Sequence, residues 1–153
     1  MVMDQFSEKD RDNMNSVLRG ELSAVETYEQ AIPKFDDMNI RSVLSHIRDE
    51  HTQAVELLRS HLRDMGAEPS DSSGSWGTFA STVTGAAKML GPQTTLGALK
   101  QGEEYGIGTY EGMLEDQDVP VACKDILRDE LLPRCRDHVR ALDSMIQGLE
   151  AKE

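Results

Sequence analysis

Four glutamates hold the residue types and positions from which chemistry could come: Glu21, Glu50, Glu103 and Glu130. Each sits within or beside an apolar stripe of helical period, so four helices packed on those stripes would carry four carboxylates toward one interior. Buried carboxylates close together do not all stay ionised without compensation, because burial and mutual repulsion raise their pKa values. Compensation has three forms: metal ions, protonation, or neighbouring Arg and His. Carboxylate oxygens suit iron or manganese. Carboxylate-rich sites in the middle of helix bundles hold two such ions.

The usual pattern of such sites adds a His three residues after the glutamate on the second and fourth helices. Here those positions are Gln53 and Pro133. His51 adjoins Glu50 but points about 100° away around the helix. His46 lies one turn before Glu50 and could face its side, whereas His138 is two turns after Glu130, too distant to share an ion with it. The candidate ligands are therefore Glu21, Glu50, Glu103 and Glu130, with His51 or His46 as a helper. Two other readings stand beside this one. In the first, Arg48, Arg128, Arg134 and the tyrosines satisfy a metal-free polar layer. In the second, the glutamates are solvated at helix edges; Leu131 fits the period of its helix better than Glu130 does. Tyr28 and Tyr110 follow Glu21 and Glu103 by roughly 10 Å of helix. They are core residues with hydrogen-bonded hydroxyls, or donors and radical sinks behind a redox site. Glu26 and His46 are placed to form an ion pair across two helices.

The elements that must position these residues come in two related halves. Gly20-Glu21 followed by Thr27-Tyr28-Glu29 returns as Gly102-Glu103 followed by Thr109-Tyr110-Glu111, and Ile47-Arg48-Asp49-Glu50 is answered by Leu127-Arg128-Asp129-Glu130. Helix A is expected from Ser7 or Asp12 to Ile32, with Met14, Leu18, Val25, Tyr28 and Ile32 on one face and Pro33 as its stop. Helix B is expected from Ile40 to Met65, closed by Gly66. Helix C is expected from Thr94 to Leu114. Helix D runs from Pro120 to Leu149, and Pro133 in its middle should remove a hydrogen bond and kink it. Short turns at Phe35–Asn39 and Asp116–Asp118 make two antiparallel hairpins. The long connection, residues 67–95, allows helices B and C to run parallel. Within it Trp76, Phe79, Val83, Ala87 and Leu90 repeat at helical spacing, which predicts a short amphipathic helix lying on the bundle or on a partner subunit.

A chain of 153 residues fits one domain, residues 1–153, with a full core. Aromatics are 5% and charged residues 29%, which favours helices over sheet. The net charge of −12 argues against nucleic acid. No secretory leader or membrane-spanning run is apparent, so the expected location is cytoplasmic with no membrane partner. Cys123 and Cys135 lie roughly 18 Å apart on one helix and cannot bridge each other. Cys135 reads as a small core residue.

Gly20-Glu21…Tyr28 and Gly102-Glu103-Glu104…Tyr110, the Gly66-Ala67-Glu68-Pro69 exit, the Gly-Ser connection and a late His138 together resemble the ferritin-like superfamily. More narrowly, they resemble small bacterial ferritin-like four-helix proteins of unknown function, over roughly residues 11–147. That group often has Gln and Arg on helix B and Gln on helix D where this chain has Glu50, His51 and Glu130. The resemblance implies an all-α, ferritin-like four-helix bundle. As a class it implies a di-iron or di-manganese centre serving oxygen- or peroxide-linked oxidation, or iron handling under oxidative stress. The alternative is a metal-free, non-catalytic stress or interaction bundle with a structural polar core. A homo-oligomer, a dimer, is expected, made by the middle helix in the metal-free reading, and neither reading assigns a catalytic residue.

Overall fold

The computed structural model describes residues 6–74 and 91–152. The helix expected at Trp76–Leu90 lies outside the described residues. Helix α1 spans Glu8–Ala31. Of its two expected starts the chain uses Ser7. The Ser7 hydroxyl accepts the Asp10 N–H at 3.0 Å while the Asp10 carboxylate accepts the Ser7 N–H at 2.8 Å, so two otherwise orphaned donors are satisfied together. Pro33 ends it through a single 3-10 turn, Ile32–Lys34. Helix α2, Met38–Asp64, begins before the expected Ile40 because Asp37 caps the N–H groups of Asn39 and Ile40. At its far end Gly66, with φ 78°, turns the chain left-handed. Gly66 N–H then reaches Arg63 O and Ala67 N–H reaches Leu62 O. Helix α3 spans Pro92–Glu115, with Pro92 in its first turn.

The fourth rod has three parts: α4 (Val121–Ile126), a π-helical turn (Leu127–Leu131) and α5 (Leu132–Ala151). At Pro133, which lacks the N–H of an ordinary helical residue, the ladder widens: Leu132 N–H bonds to Leu127 O, one residue further back than in an α-helix. A proline ring clashes with the carbonyl four residues before it, and a π-turn moves that carbonyl away.

The helices pair as two tight antiparallel hairpins, α1 with α2 and α3 with α5, which meet more loosely along α1–α3 and α2–α5. Four helices pack together and no strand occurs among the described residues. One apolar cluster joins Met14, Leu18, Leu58, Leu62, Leu127 and Leu131. The other joins Ile32, Ile40, Leu44, Leu96, Leu99 and Leu142. Because α2 and α3 both begin in the second cluster and run toward the first, they are parallel. The start of the connection is fastened along α1: Arg11 donates to Met65 O, Asn15 to Glu68 O, Arg19 to Ser70 Oγ, and Ser73 Oγ donates to Glu26. No helix among the described residues is long and apolar enough to cross a membrane.

Candidate metal centre

Between the two apolar clusters lies a layer of buried polar side chains, one from each helical rod: Glu21 on α1, His51 on α2, Glu103 on α3 and His138 on α5. Each is no more than 5% exposed. They occupy stripe positions. Leu44, Ile47, His51, Ala54 and Leu58 follow one face of α2, as Leu131, Cys135, His138 and Leu142 follow one face of the fourth rod. The helical period that buries the leucines therefore buries the ligand-type residues with them.

Glu103 is the hub. Its Oε1 accepts from Tyr28 OH at 2.8 Å and lies 2.7 Å from His51 Nε2 and 3.2 Å from His138 Nδ1. Each imidazole is held from behind by another carboxylate. His51 Nδ1 is 2.5 Å from Glu21 Oε2, and His138 Nε2 is 2.9 Å from Glu50 Oε1. Glu21 in turn accepts from Tyr110 OH at 2.6 Å. The sequence repeat is thus answered crosswise: the tyrosine of each half bonds the glutamate of the other. His138 Nδ1 thus meets Glu103 at ion-pair distance, with no other partner among the described residues. The two imidazole centroids are 4.8 Å apart, and Tyr28 stacks on His51.

The electrostatics follow from burial against pairing. Burial is the largest influence on His51 and pulls its pKa down. The charges of Glu103 and Glu21, with their hydrogen bonds, outweigh it and hold the imidazole well above its ordinary value. Burial pushes Glu103 up, but His51 and His138 reverse this and leave it well below the usual carboxylate range. Tyr28 and Tyr110 are raised by burial and then by the carboxylates they bond, so both stay protonated donors. The Cys135 thiol is raised by burial and then by the charges of Glu103 and Glu21.

Of the six sequence candidates, Glu21, His51 and Glu103 come together. Glu50 is a quarter exposed and reaches the cluster through His138. Glu130 does not join it: it lies on the exposed face and pairs with Arg134 at 3.3 Å. His46 is 73% exposed and meets only the outer side of Glu50, at 3.6 Å. The expected Glu26–His46 pair does not form, since Glu26 binds Ser73. Nor do arginines fill the polar layer: Arg48 pairs with Asp49, Arg128 with Asp125 and Asp129, and Arg134 with Glu130. His138 was set aside on its distance from Glu130, yet its place in the buried stripe was the signal that brings it to the centre.

His51, Glu103 and His138 each offer a ligand atom, all within 4.8 Å of one another. Two neutral imidazoles and a carboxylate form a donor set that takes divalent transition metals, with positions left over for a further ligand. Carboxylates behind the imidazoles fix which nitrogen carries the proton, as they do behind ligating histidines generally. A cavity of about 810 Å³ between α1 and α3 reaches Glu21, His51 and Glu103 past Gly20, Ala24, Gly102 and Gly106.

Among curated proteins, the chain is similar to a 1-deoxy-D-xylulose 5-phosphate reductoisomerase from Prochlorococcus marinus (strain NATL2A). They are 24% identical over 127 residues, which is 83% of this chain and 31% of that protein. The chain spans about a third of that relative's length, and the likeness carries none of its activity here. No solved structure matches the chain. Residues 10–116 match the family described as Domain of unknown function (DUF2383), and the chain belongs to that family.

Proposed function

We propose that this chain is a ferritin-like four-helix protein that binds one divalent transition-metal ion at its centre, through His51, Glu103 and His138. The observation that carries this reading is the convergence of two imidazoles on one carboxylate oxygen. Each is anchored from behind by a second carboxylate, Glu21 behind His51 and Glu50 behind His138. The arrangement favours one ion over the carboxylate-bridged pair expected from four glutamates, because Glu130 lies outside the cluster and Glu21 and Glu50 are engaged behind histidines. A two-His, one-carboxylate set supplies either Lewis-acid chemistry or iron-dependent oxygen chemistry when loaded. Parallel α2 and α3, with a long connection between two hairpins, support the ferritin-like assignment. Unfolding of the chain with added zinc, ferrous or manganous ion and with chelator tests the reading: at least one metal should raise the melting temperature and chelator should reverse it.

A metal-free polar core is the second reading, and one observation favours it. Both His51 nitrogens meet carboxylate oxygens, at 2.5 and 2.7 Å, so a doubly protonated His51 satisfies Glu21 and Glu103 at once. That reading requires a melting temperature indifferent to all three metals.

A further inference from the structure

We propose that the cavity between α1 and α3 is a binding site for an organic ammonium with a slender apolar body, whose charged nitrogen pairs with Glu21. The proposal goes beyond the metal reading and does not depend on it.

The cavity holds about 810 Å³, a volume typical of pockets that bury small organic ligands. Its lining runs from Lys9 to Tyr28 along α1, and from Leu99 on α3 to Asp116 just beyond that helix. That is roughly 25 Å along each, so the space is long and narrow. Small residues make the room: among the described residues, a Cβ added at Gly20 or at Gly106 meets no atom within 4 Å. Val17, Leu99, Met113 and Val119 give the cavity apolar walls.

Charge sets the class of ligand. At mid-length the cavity meets the carboxylates of Glu21 and Glu103, with His51 between them. Without an ion, one imidazolium faces two carboxylates, which leaves a negative charge at a buried wall. With a divalent ion in place the histidines are neutral ligands, and Glu21, Glu50 and Glu103 still carry three charges against two. Arg134 does not redress this at the cavity, since it pairs with Glu130 and lies outside the lining. Lys9 and Asp116, the other charged residues of the lining, are roughly 18 Å of helix from Glu21 and Glu103. A buried charge without a counter-charge is costly, so a cation is favoured here and an anion disfavoured. Glu21 can accept one more donor. Tyr110 OH takes a lone pair of Oε1 and His51 Nδ1 one of Oε2, and each carboxylate oxygen has another. An alkylammonium supplies both halves of the match, N–H donors for Glu21 and a hydrocarbon chain for the walls.

Titration calorimetry of the metal-free, full-length chain with n-hexylammonium, 1-hexanol and hexanoate tests this, because the three probes share a chain and differ in head group. Working without metal makes the result independent of whether the histidines bind an ion. The expected result is one saturable site for hexylammonium, roughly tenfold weaker binding of hexanol, and none of hexanoate. Glu21→Gln should bring hexylammonium down to the level of hexanol. Gly106→Leu puts a side chain into the cavity at a position where an added Cβ meets nothing, and should abolish binding. Gly148→Leu, at an exposed helical glycine outside the lining, should leave it unchanged. Equal affinity for hexylammonium and hexanol overturns the charge match. A preference for hexanoate, or no binding at all, overturns the site. Amine binding that survives Gly106→Leu is attraction to the acidic surface and overturns it as well. The comparison of the three probes on the wild-type chain decides the matter if a variant fails to fold.

Discussion

Glu103 carries more of this structure than any other charged residue. Buried, and shared among Tyr28, His51 and His138, it is the counter-charge that lets the imidazoles sit in an apolar interior. Glu103→Gln keeps the shape and removes the charge. In the metal-free protein it should cost about 3–5 kcal/mol, the range for breaking one member of a buried ion pair, read as a loss in urea unfolding free energy. His46→Ala, at an exposed site, should change stability by less than about 0.5 kcal/mol and leave metal binding untouched. The raised pKa of His51 fixes a pH dependence. Its contribution to metal-free stability is complete below its unfolded value of about 6.5 and is lost as pH rises through the raised folded value. Glu103, held low, contributes fully above the ordinary carboxylate value and loses that contribution as pH falls through its folded value. Metal-free melting temperature should therefore be highest between about pH 4.5 and 6.5, the ordinary values of the two groups, and fall on both sides. In Glu21→Gln the alkaline fall should be smaller in total and end at lower pH, because the folded value of His51 drops while the unfolded value is unchanged. An alkaline limb unchanged in that variant would contradict the assignment to His51.

At the scale of the elements, the stripes were legible and the symmetry misled. Periodicity found four rods and both hairpin turns, and the caps at Ser7 and Gly66 lie where the sequence marks them. The repeat suggested that Glu50 and Glu130 are equivalent ligands. Yet the buried stripe passes through their neighbours, His51 and Leu131, so the pseudo-symmetry sets a leucine opposite one histidine; likewise Leu58 stands opposite His138. A step of one residue turns a side chain about 100° around a helix, which is enough to move Glu130 from the centre to solvent. The π-turn before Pro133 was not legible, because sequence shows that a proline removes a donor and not how the ladder accommodates it. Helix α3 also carries glycines with room beside them: among the described residues, a Cβ added at Gly108 meets no atom within 4 Å. Gly108→Ala should therefore stabilise the chain by about 0.5–1 kcal/mol, through helix propensity alone, seen as a higher urea midpoint at unchanged slope.

For the whole molecule, two apolar clusters lock the ends of the bundle while the polar layer lies between them. An ion there ties α2, α3 and α5 together, and the net charge of −12 raises the local concentration of cations around the chain. Binding must then appear as global stability. At free metal about 100-fold above Kd the gain is about 2.7 kcal/mol, reversed by chelator.

The central claim is tested most directly by metal content, measured by mass spectrometry on untagged protein reconstituted anaerobically with zinc, iron or manganese and freed of excess ion. The account predicts one tightly held ion per chain for at least one metal, lost in His138→Ala and retained in Glu130→Gln. No bound ion, two ions per chain, or an ion that survives His138→Ala and depends on Glu130 would contradict it.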